Sequence, residues 1–209
     1  MQLIRVSKSY GTIRAVREQS LIIEDGTSLC ILGRNGSGKS TLLKIIGLLI
    51  NPDSGSVVLD GKELSKQPSS FRDSKRIELI GYSFQEPLLI PYLTAIENVL
   101  LADRTSTAVS SKIERASRLL SDLGLSERMG HLPSKLSGGE RKRIDLARAI
   151  NRDPKILVAD EPLSNLDADA AQLVVRRLQY FARSGGTVIC SAVEQAHSDW
   201  ANAIFNLSD

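Results

Sequence analysis

The chain has 209 residues, of which 42% are hydrophobic and 24% charged, a composition typical of a soluble globular protein rather than a disordered one. The net charge of +3 and the 4% aromatic content give no support for nucleic-acid binding, which depends on basic patches and stacked aromatic side chains. No apolar run approaches the roughly 18 residues that span a bilayer, and the N-terminal residues lack the apolar segment of a secretion signal.

The first half of the chain alternates apolar runs with turn residues. Strands are predicted over residues 3–6, 20–23, 28–32 and 80–84, with a further short strand between the turns of residues 51–61. Apolar residues recur at helical spacing from 39 to 48, and Asn51 and Pro52 end that pattern. Cys30 and Cys190 lie in apolar runs and are expected to be buried, reduced thiols, which fits a reducing compartment.

The second half of the chain combines helices and strands. Helices are predicted over residues 94–101, 110–123, 139–150 and 168–182, and strands over residues 156–159, 188–190 and 203–207. Thr94 and Glu97 form a capping box at the start of the first helix. The alternation of strands and helices predicts an α/β fold, with a mostly parallel sheet covered by helices on both faces. Residues 87–138 have little strand signal and are predicted to be a helical insertion.

Residues 33–40, GRNGSGKS, match the phosphate-binding pattern G-x-x-x-x-G-K-S/T. Gly33, Gly36 and Gly38 let the backbone turn tightly and bring its N–H groups close to phosphate oxygens. Lys39 supplies a positive charge for the β and γ phosphates, and the Ser40 hydroxyl is a candidate Mg²⁺ ligand. Because the loop follows a predicted strand and opens a predicted helix, whose N-terminus favours anions, the sequence predicts binding of Mg-ATP.

Two further motifs have both a catalytic and a purely structural interpretation. Residues 156–161, ILVADE, form an apolar strand that ends in two carboxylates. Asp160 is placed to hold Mg²⁺ through water, and Glu161 to polarise an attacking water as a general base; the alternative is an ordinary strand followed by an acidic turn. Residues 136–140, LSGGE, directly precede a predicted helix, so their N–H groups either hold an anion or only cap the helix.

Six motifs, which follow one another in the family's order, resemble those of the ATP-binding subunits of ABC transporters. GRNGSGKS resembles the Walker A loop, LSGGE the signature, ILVADE the Walker B strand with its catalytic glutamate, and SNLD at residues 164–167 the D-loop. Gln85, in YSFQEP, resembles the Q-loop glutamine, and Tyr10, in SKSYG, the aromatic residue that stacks on adenine. The resemblance covers nearly the whole chain.

This resemblance implies roles for individual residues. Glu161 and Gln85 are the expected catalytic residues, and Ser40, Gln85 and Asp160 the expected Mg²⁺ ligands. The other expected contacts with ATP are Tyr10, Gly33, Arg34, Asn35, Gly36, Ser37, Gly38, Lys39, Ser40, Thr41, Ser137, Gly138, Gly139 and Asp167. Gln85 is expected to touch both Mg²⁺ and the attacking water.

The resemblance also implies an architecture. It is that of a P-loop NTPase sheet with helices on both faces, an N-terminal antiparallel β portion and a helical subdomain insertion. The chain, residues 1–209, is then a single ABC ATPase domain. Its ATP-binding core spans residues 1–86 and 139–209, and its helical subdomain spans residues 87–138 and carries the signature at its end.

Partners are likewise implied by the family. Two ATP-binding subunits, in a homodimer or a heterodimer, face each other head to tail and sandwich each ATP between the Walker loop of one and the signature of the other. ATP closes this dimer, hydrolysis reopens it, and a transmembrane permease subunit docks on residues 87–98. The chain is therefore expected at the cytoplasmic side of a membrane, attached through its partner, with no nucleic-acid partner.

Within the family, residues 81–85 and 91–99 are similar to the lipoprotein-release and macrolide-efflux type, which includes a cell-division signalling ATPase. That similarity favours export, or extraction from the membrane, over import. One alternative is an ABC ATPase that drives a membrane signalling partner. Another is a soluble ABC ATPase acting on DNA or ribosomes, although the chain lacks the long coiled-coil insertion or tandem domains of those types.

The sequence departs from the family at one expected site position. Ala192 occupies the place of the switch histidine, after Ser191 in the place of a threonine. The alanine side chain has no hydrogen-bond donor. Losing one donor to the transition state typically lowers the rate by about 10²–10³-fold. Slow hydrolysis is therefore expected. His197, five residues on, and His131 are interpreted as an ordinary surface residue and an ordinary loop residue.

Overall fold

In the computed structural model, which describes residues 1–103 and 108–207, strands and helices alternate along most of the chain. The strands are β1 (Gln2–Tyr10), β2 (Ile13–Ile22), β3 (Ser28–Leu32), β4 (Ser54–Leu59), β5 (Lys62–Glu63), β6 (Ile80–Ser83), β7 (Ile156–Ala159), β8 (Thr187–Ala192) and β9 (Ala203–Asn206). The α-helices are α1 (Lys39–Ile46), α2 (Ser69–Leu79), α3 (Ala95–Leu100), α4 (Val109–Asp122), α5 (Gly138–Asn151) and α6 (Ala168–Arg183). Across the described ranges, no helix combines the length and apolar character needed to cross a bilayer.

The strands form two sheets. β6, β7, β8, β3 and β9 lie side by side in that order, and all pairings between them are parallel. β2, β1, β4 and β5 form a smaller antiparallel sheet. The predicted α/β class is therefore confirmed, including the antiparallel portion near the N-terminus.

Both faces of the parallel sheet are covered, because successive side chains of a strand point to opposite faces. On β3, Leu29 and Ile31 pack into a buried cluster with α1 and the antiparallel sheet. Cys30, between them, packs into a second cluster with α5 and α6. Cys30 lies directly opposite Cys190 of β8, and both thiols are free and buried, as predicted. Contact with Cys30, together with burial, raises the pKa of Cys190.

Two regions differ most from the sequence prediction. β1 and β2 extend well beyond the predicted residues 3–6 and 20–23, because they meet in a tight turn at Gly11, where φ is +59°. Much of this hairpin is polar and exposed, so it lacks the apolar alternation that marks a strand. Helix α2 lies outside the predicted elements, because only Leu79 at its end is buried and the helix has no apolar stripe.

Four parallel strands end at one edge of the sheet, and each leads into a predicted motif. β3 leads into the loop 33–38, β6 into Gln85, β7 into Asp160 and β8 ends at Ala192. Ligands of open α/β sheets bind outside the carboxyl ends of the strands. Parallel pairing therefore brings together motifs that are far apart in the sequence.

Candidate active site

The loop between β3 and α1 depends on glycine for its shape. Gly36 and Gly38 have φ of +84° and +95°, a region that other residues rarely adopt. A Cβ atom on Gly38 would lie 1.8 Å from the carbonyl oxygen of Ala15. A side chain at position 38 would therefore clash with the backbone of Ala15. The loop can lead directly into α1 only because this residue is glycine.

Two side chains of the loop fit an anionic ligand. The Lys39 ammonium is 4% exposed and donates to the carbonyl oxygens of Gly33 and Arg34 at 2.8 and 2.9 Å. Ser37 Oγ is buried without a hydrogen-bonding partner, which is uncommon for a buried hydroxyl. A phosphate oxygen would accept a hydrogen bond from this hydroxyl, so the loop fits the triphosphate of ATP.

A cavity of about 690 Å³ opens beside the loop. The predicted site residues that line it are Asn35, Gly36, Gly38, Lys39, Ser40, Thr41, Gln85 and Glu161. The other residues that line it are Ile13, Arg14, Ala15, Leu163, Ser164, Asn165, Ser191, Ala192, Val193, Glu194 and His197. The predicted phosphate loop, Gln85 and the candidate base therefore share one space.

Ser191 connects the two carboxylate residues at the end of β7. Its Oγ donates to Asp160 Oδ1 at 2.6 Å and accepts from the N–H of Glu161 at 2.8 Å. Asp160 is buried, while Glu161 lines the cavity with Oε1 4.0 Å from Lys39 Nζ. Ser191 had no predicted site role, because it follows the predicted strand 188–190 and reaches Asp160 only through the parallel pairing of β7 with β8.

Strand β8 ends at an alanine beside this cavity. Ala192 is among the residues that line the cavity, although it is 3% exposed and packs into the buried cluster with α5 and α6, and its carbonyl oxygen accepts from the N–H of Gly33 at 3.2 Å. His197 lies in a short 3₁₀ turn and lines the same cavity with a partly buried side chain. Its interpretation as an ordinary surface residue stays a prediction. His131 is a loop residue, as expected, and its carbonyl oxygen accepts from the N–H of Ala95 at 2.9 Å.

The signature lies at a second cavity of about 440 Å³. The predicted ATP contacts that line it, without lining the first cavity, are Ser137, Gly138, Gly139 and Asp167. Gln85, Ser164 and Asn165 line both cavities. The predicted ATP contacts that line a cavity thus form two groups, one at each cavity.

A capping box opens α5 at the signature. Ser137 Oγ accepts from the N–H of Glu140 at 3.1 Å, and the Glu140 carboxylate accepts from the N–H of Ser137 at 2.8 Å. The second of these bonds, with Arg128, holds the pKa of Glu140 below its usual value. The box leaves the N–H groups of Gly138 and Gly139 at the free helix start. Helix capping and anion binding are therefore compatible here.

Tyr10, like Gly33, Arg34 and Ser37, is a predicted ATP contact that lines neither cavity. It ends β1 with half of its surface exposed, and the Lys8 ammonium lies 5.8 Å from its ring centroid. Ile13 and Arg14 of β2, which follow Tyr10 closely in the sequence, line the first cavity instead. The stacking of adenine on Tyr10 stays a prediction.

Beside Gln85, a buried carboxylate joins α5 to the end of β6. Asp145 has no exposed surface and accepts hydrogen bonds from Ser83 Oγ at 3.0 Å, from the N–H of Phe84 at 2.8 Å and from the Arg148 guanidinium. Burial raises the pKa of Asp145, while Arg148 and the hydrogen bonds lower it. These contacts fix the backbone directly before Gln85.

Asp145→Asn is expected to lower the free energy of unfolding by about 1–3 kcal/mol, because one amide oxygen replaces two carboxylate oxygens and leaves buried donors unsatisfied. Urea unfolding followed by circular dichroism measures this change. Asp73→Asn is the matched control, since this exposed carboxylate pairs with Arg76 on the surface of α2 and its loss should cost less than about 0.5 kcal/mol. Equal effects of the two substitutions would contradict the prediction.

Known proteins resemble this chain in both sequence and fold. The family model described as "ABC transporter" matches residues 16–164. The chain is 38% identical to the lipoprotein-releasing system ATP-binding protein LolD 1 of Rhodopirellula baltica, over 98% of this chain and 92% of that protein. It is 37% identical to the macrolide export ATP-binding/permease protein MacB of Burkholderia pseudomallei, over 100% of this chain and 33% of that protein.

Solved structures agree with these sequence matches. The ATP-binding cassette MJ0796, in a dimeric post-hydrolysis state bound to ADP and Pi, has a TM-score of 0.93 and 31% identity. That alignment covers 99% of this chain and 94% of the MJ0796 chain. A second dimeric structure of MJ0796, described as a bacterial ABC transporter cassette, has a TM-score of 0.92 and 32% identity, and covers 98% and 93% of the two chains.

Proposed function

The chain belongs to the ABC transporter family as an ATP-binding subunit, and we propose that it couples ATP-driven closure of a two-subunit assembly to a membrane partner. The observation that carries this proposal is the division of the expected ATP contacts between two cavities. Lys39 and Glu161 line one cavity, whereas Ser137 and Gly139 line the other. One chain therefore supplies two incomplete halves of a site.

A second subunit completes the site. An ATP molecule held by the loop 33–40 meets a signature only when another subunit presents residues equivalent to 137–139, in a head-to-tail arrangement. The dimeric structures of MJ0796 support such an assembly, because that cassette has a TM-score of 0.93 to this chain. Both a homodimer and a heterodimer with a different cassette satisfy this requirement.

The loop and the strand ends divide the chemistry of ATP hydrolysis between them. Lys39 and the N–H groups of the loop bind the phosphates, and Glu161 polarises the attacking water as a general base. Ser40, Gln85 and Asp160 would hold Mg²⁺, whose oxygen-rich ligands these side chains supply. When bound, that ion neutralises charge on the β and γ phosphate oxygens.

Ser191 and Tyr10 have supporting roles in this proposal. Ser191 holds Asp160 and the backbone of Glu161 in a fixed relation through bonds of 2.6 and 2.8 Å. Tyr10 stacks on adenine, and Ala192 leaves the site without the donor that the family places there. Hydrolysis at this loop is therefore slow, whereas ATP binding is retained. In a heterodimer, the signature of this chain serves the faster site of its partner.

The membrane partner docks on residues 87–98. Asn98 is wholly buried, and its amide donates to three carbonyl oxygens within residues 90–94 at 2.9–3.2 Å, so it holds this segment in place. Leu88 and Tyr92 of the segment are 59% and 77% exposed. A well-held segment with exposed apolar side chains is typical of a protein-binding surface.

The docking segment is also connected to the catalytic side of the chain. Arg148 donates to the carbonyl oxygen of Leu88 at 2.7 Å and pairs with Asp145, which holds the backbone next to Gln85. Residues 87–138, which contain α3 and α4, thus act as a helical subdomain on a core formed by residues 1–86 and 139–209. A displacement of the docked partner would be coupled to Gln85 through these contacts.

The proposed membrane partner determines where in the cell the chain acts. The chain is peripheral, at the cytoplasmic side of a membrane, and reaches the bilayer through a permease. Its relatives are named for lipoprotein release and for macrolide export. Those names support export, or extraction from the membrane, as the direction of transport for this chain.

Co-purification from detergent-solubilised membranes tests the proposal. We expect the tagged chain to recover a multi-span membrane protein, and the double variant Leu88→Ser with Tyr92→Ser to lose it, because both apolar anchors are removed. Tyr180→Ser is the matched control, since Tyr180 is 61% exposed on α6, outside the docking segment. Recovery of ribosomes or DNA instead of a membrane protein would contradict the proposal.

A further inference from the structure

A buried cation on α5 contacts the segment that follows β7. Lys142 is 7% exposed, and its Nζ donates to the carbonyl oxygens of Glu161 and Ser164, both at 3.1 Å, and to Ser164 Oγ at 2.6 Å. A lysine ammonium has three N–H donors, so all of them act on residues 161–164. Lys142 lies outside the motifs identified from the sequence.

The contacted segment is a strained turn. Glu161 and Asn165 have φ of +49° and +59°, and such left-handed conformations persist in non-glycine residues only when the surroundings impose them. The N–H and the hydroxyl of Ser164 both donate back to the carbonyl oxygen of Glu161, at 3.2 and 3.1 Å. Lys142 adds a contact from outside the turn and joins it to α5.

Helix α5 has a second contact of this kind. Asp145 lies three residues after Lys142, on the same face of the helix, and accepts from the N–H of Phe84 at 2.8 Å. Phe84 directly precedes Gln85. One face of one helix therefore holds both segments that carry the expected catalytic residues, and the same helix begins at the signature.

Packing alone does not explain a lysine at this position. Taking a cation out of water is costly, and an apolar side chain of similar length would fill the space without that cost. Burial lowers the pKa of Lys142, while the negative charges of Glu161 and Asp160 raise it. The ammonium is stabilised by its contacts with the segment 161–164, and these contacts are what an apolar residue would lack.

We infer that Lys142 is a positioning residue, which holds the segment 161–164 so that the Glu161 carboxylate faces the nucleotide. Helix α5 begins at Gly138 in the signature, and Lys142 lies four residues later, about 6 Å along the helix axis. Lys142 therefore also connects the signature to that carboxylate. A nucleotide that contacts the signature from a second subunit would act, through Lys142, on the base of this subunit's own site. The inference rests on the proposed role of Glu161 as general base.

Steady-state ATPase assays of Lys142→Met test the inference, because methionine has a similar length and no donor. We expect the turnover number to fall about tenfold while KM for ATP changes less than about twofold, since a misplaced base slows chemistry without weakening binding. Lys142→Gln, which retains an amide donor, should recover part of the loss. Arg141→Met is the matched control, because Arg141 is the exposed neighbour on the same helix.

The double variant with Glu161→Gln distinguishes positioning from a general effect. Because Lys142 acts through that carboxylate, Lys142→Met should have no further effect on turnover in the Glu161→Gln background. Equal losses in both backgrounds, or a raised KM at unchanged turnover number, would overturn the inference and leave the proposed ATPase intact. If Glu161→Gln alone kept wild-type turnover, the proposed base and the inference would both be wrong.

Hydrogen–deuterium exchange gives a reading that does not depend on turnover. In Lys142→Met, deuterium uptake by the amides of residues 161–165 should rise before ATP is added, because the turn loses its contact with α5. Deuterium uptake by the amides of α6 and β8 should match the wild type. Unchanged uptake at residues 161–165 would mean that Lys142 does not hold the segment, and the inference would fail.

Discussion

Glu161→Gln is expected to lower ATP turnover by about 10²–10³-fold while ATP binding is retained. Glutamine preserves the shape of the side chain but cannot accept the proton of an attacking water. Glu161 lines the nucleotide cavity, with its carboxylate 4.0 Å from Lys39 Nζ. Loss of this negative charge removes repulsion of the phosphates, so affinity for ATP should stay the same or increase. Single-turnover phosphate release and equilibrium dialysis measure the two effects separately.

A matched substitution separates the role of Glu161 from loss of a carboxylate in general. Glu114→Gln on α4 removes an exposed carboxylate that pairs with Arg118 at the surface, and it should leave turnover unchanged. The prediction for Glu161 is wrong if Glu161→Gln keeps more than about one third of wild-type turnover, or if it abolishes ATP binding. The second outcome would identify Glu161 as a binding residue rather than the base.

The sequence predicted the parts of the site that are local in the chain. The loop 33–40 is contiguous, and its shape depends on glycines at fixed spacing, so the motif alone places Lys39 and Ser40. Asp160 and Glu161 directly follow an apolar strand, and this context is also visible in the sequence. Each of these motifs combines a chemical requirement with a local backbone requirement.

Contacts between distant segments could not be predicted in the same way. Ser191 lies 30 residues from Glu161, and Lys142 lies 19 residues from it. Neither pairing produces a periodicity or a motif, because it depends on the order of strands in the sheet and on the packing of α5. Arg14 reaches the cavity because β2 is longer than its apolar pattern indicates. Such residues support the motif residues, and only the fold brings them together.

Ala192→His is expected to raise ATP turnover by about 10²–10³-fold, because it restores a hydrogen-bond donor for charge that develops on the transferred phosphate. Ala192 ends β8 and is one of the residues that line the cavity of about 690 Å³. The bond from the N–H of Gly33 to the carbonyl oxygen of residue 192 is a backbone contact. The substitution therefore leaves the attachment of the phosphate loop to β8 unchanged.

Two further variants decide whether the donor itself is responsible. Ala192→Leu adds comparable bulk without a donor and should stay as slow as the wild type. His197→Ala tests the other imidazole that lines the cavity, and it should have little effect if the wild-type site lacks a donor. A wild type that already turns over rapidly, and loses that rate in His197→Ala, would place the donor at His197. The slow rate assigned to Ala192 would then be wrong, and Ala192→His would add nothing.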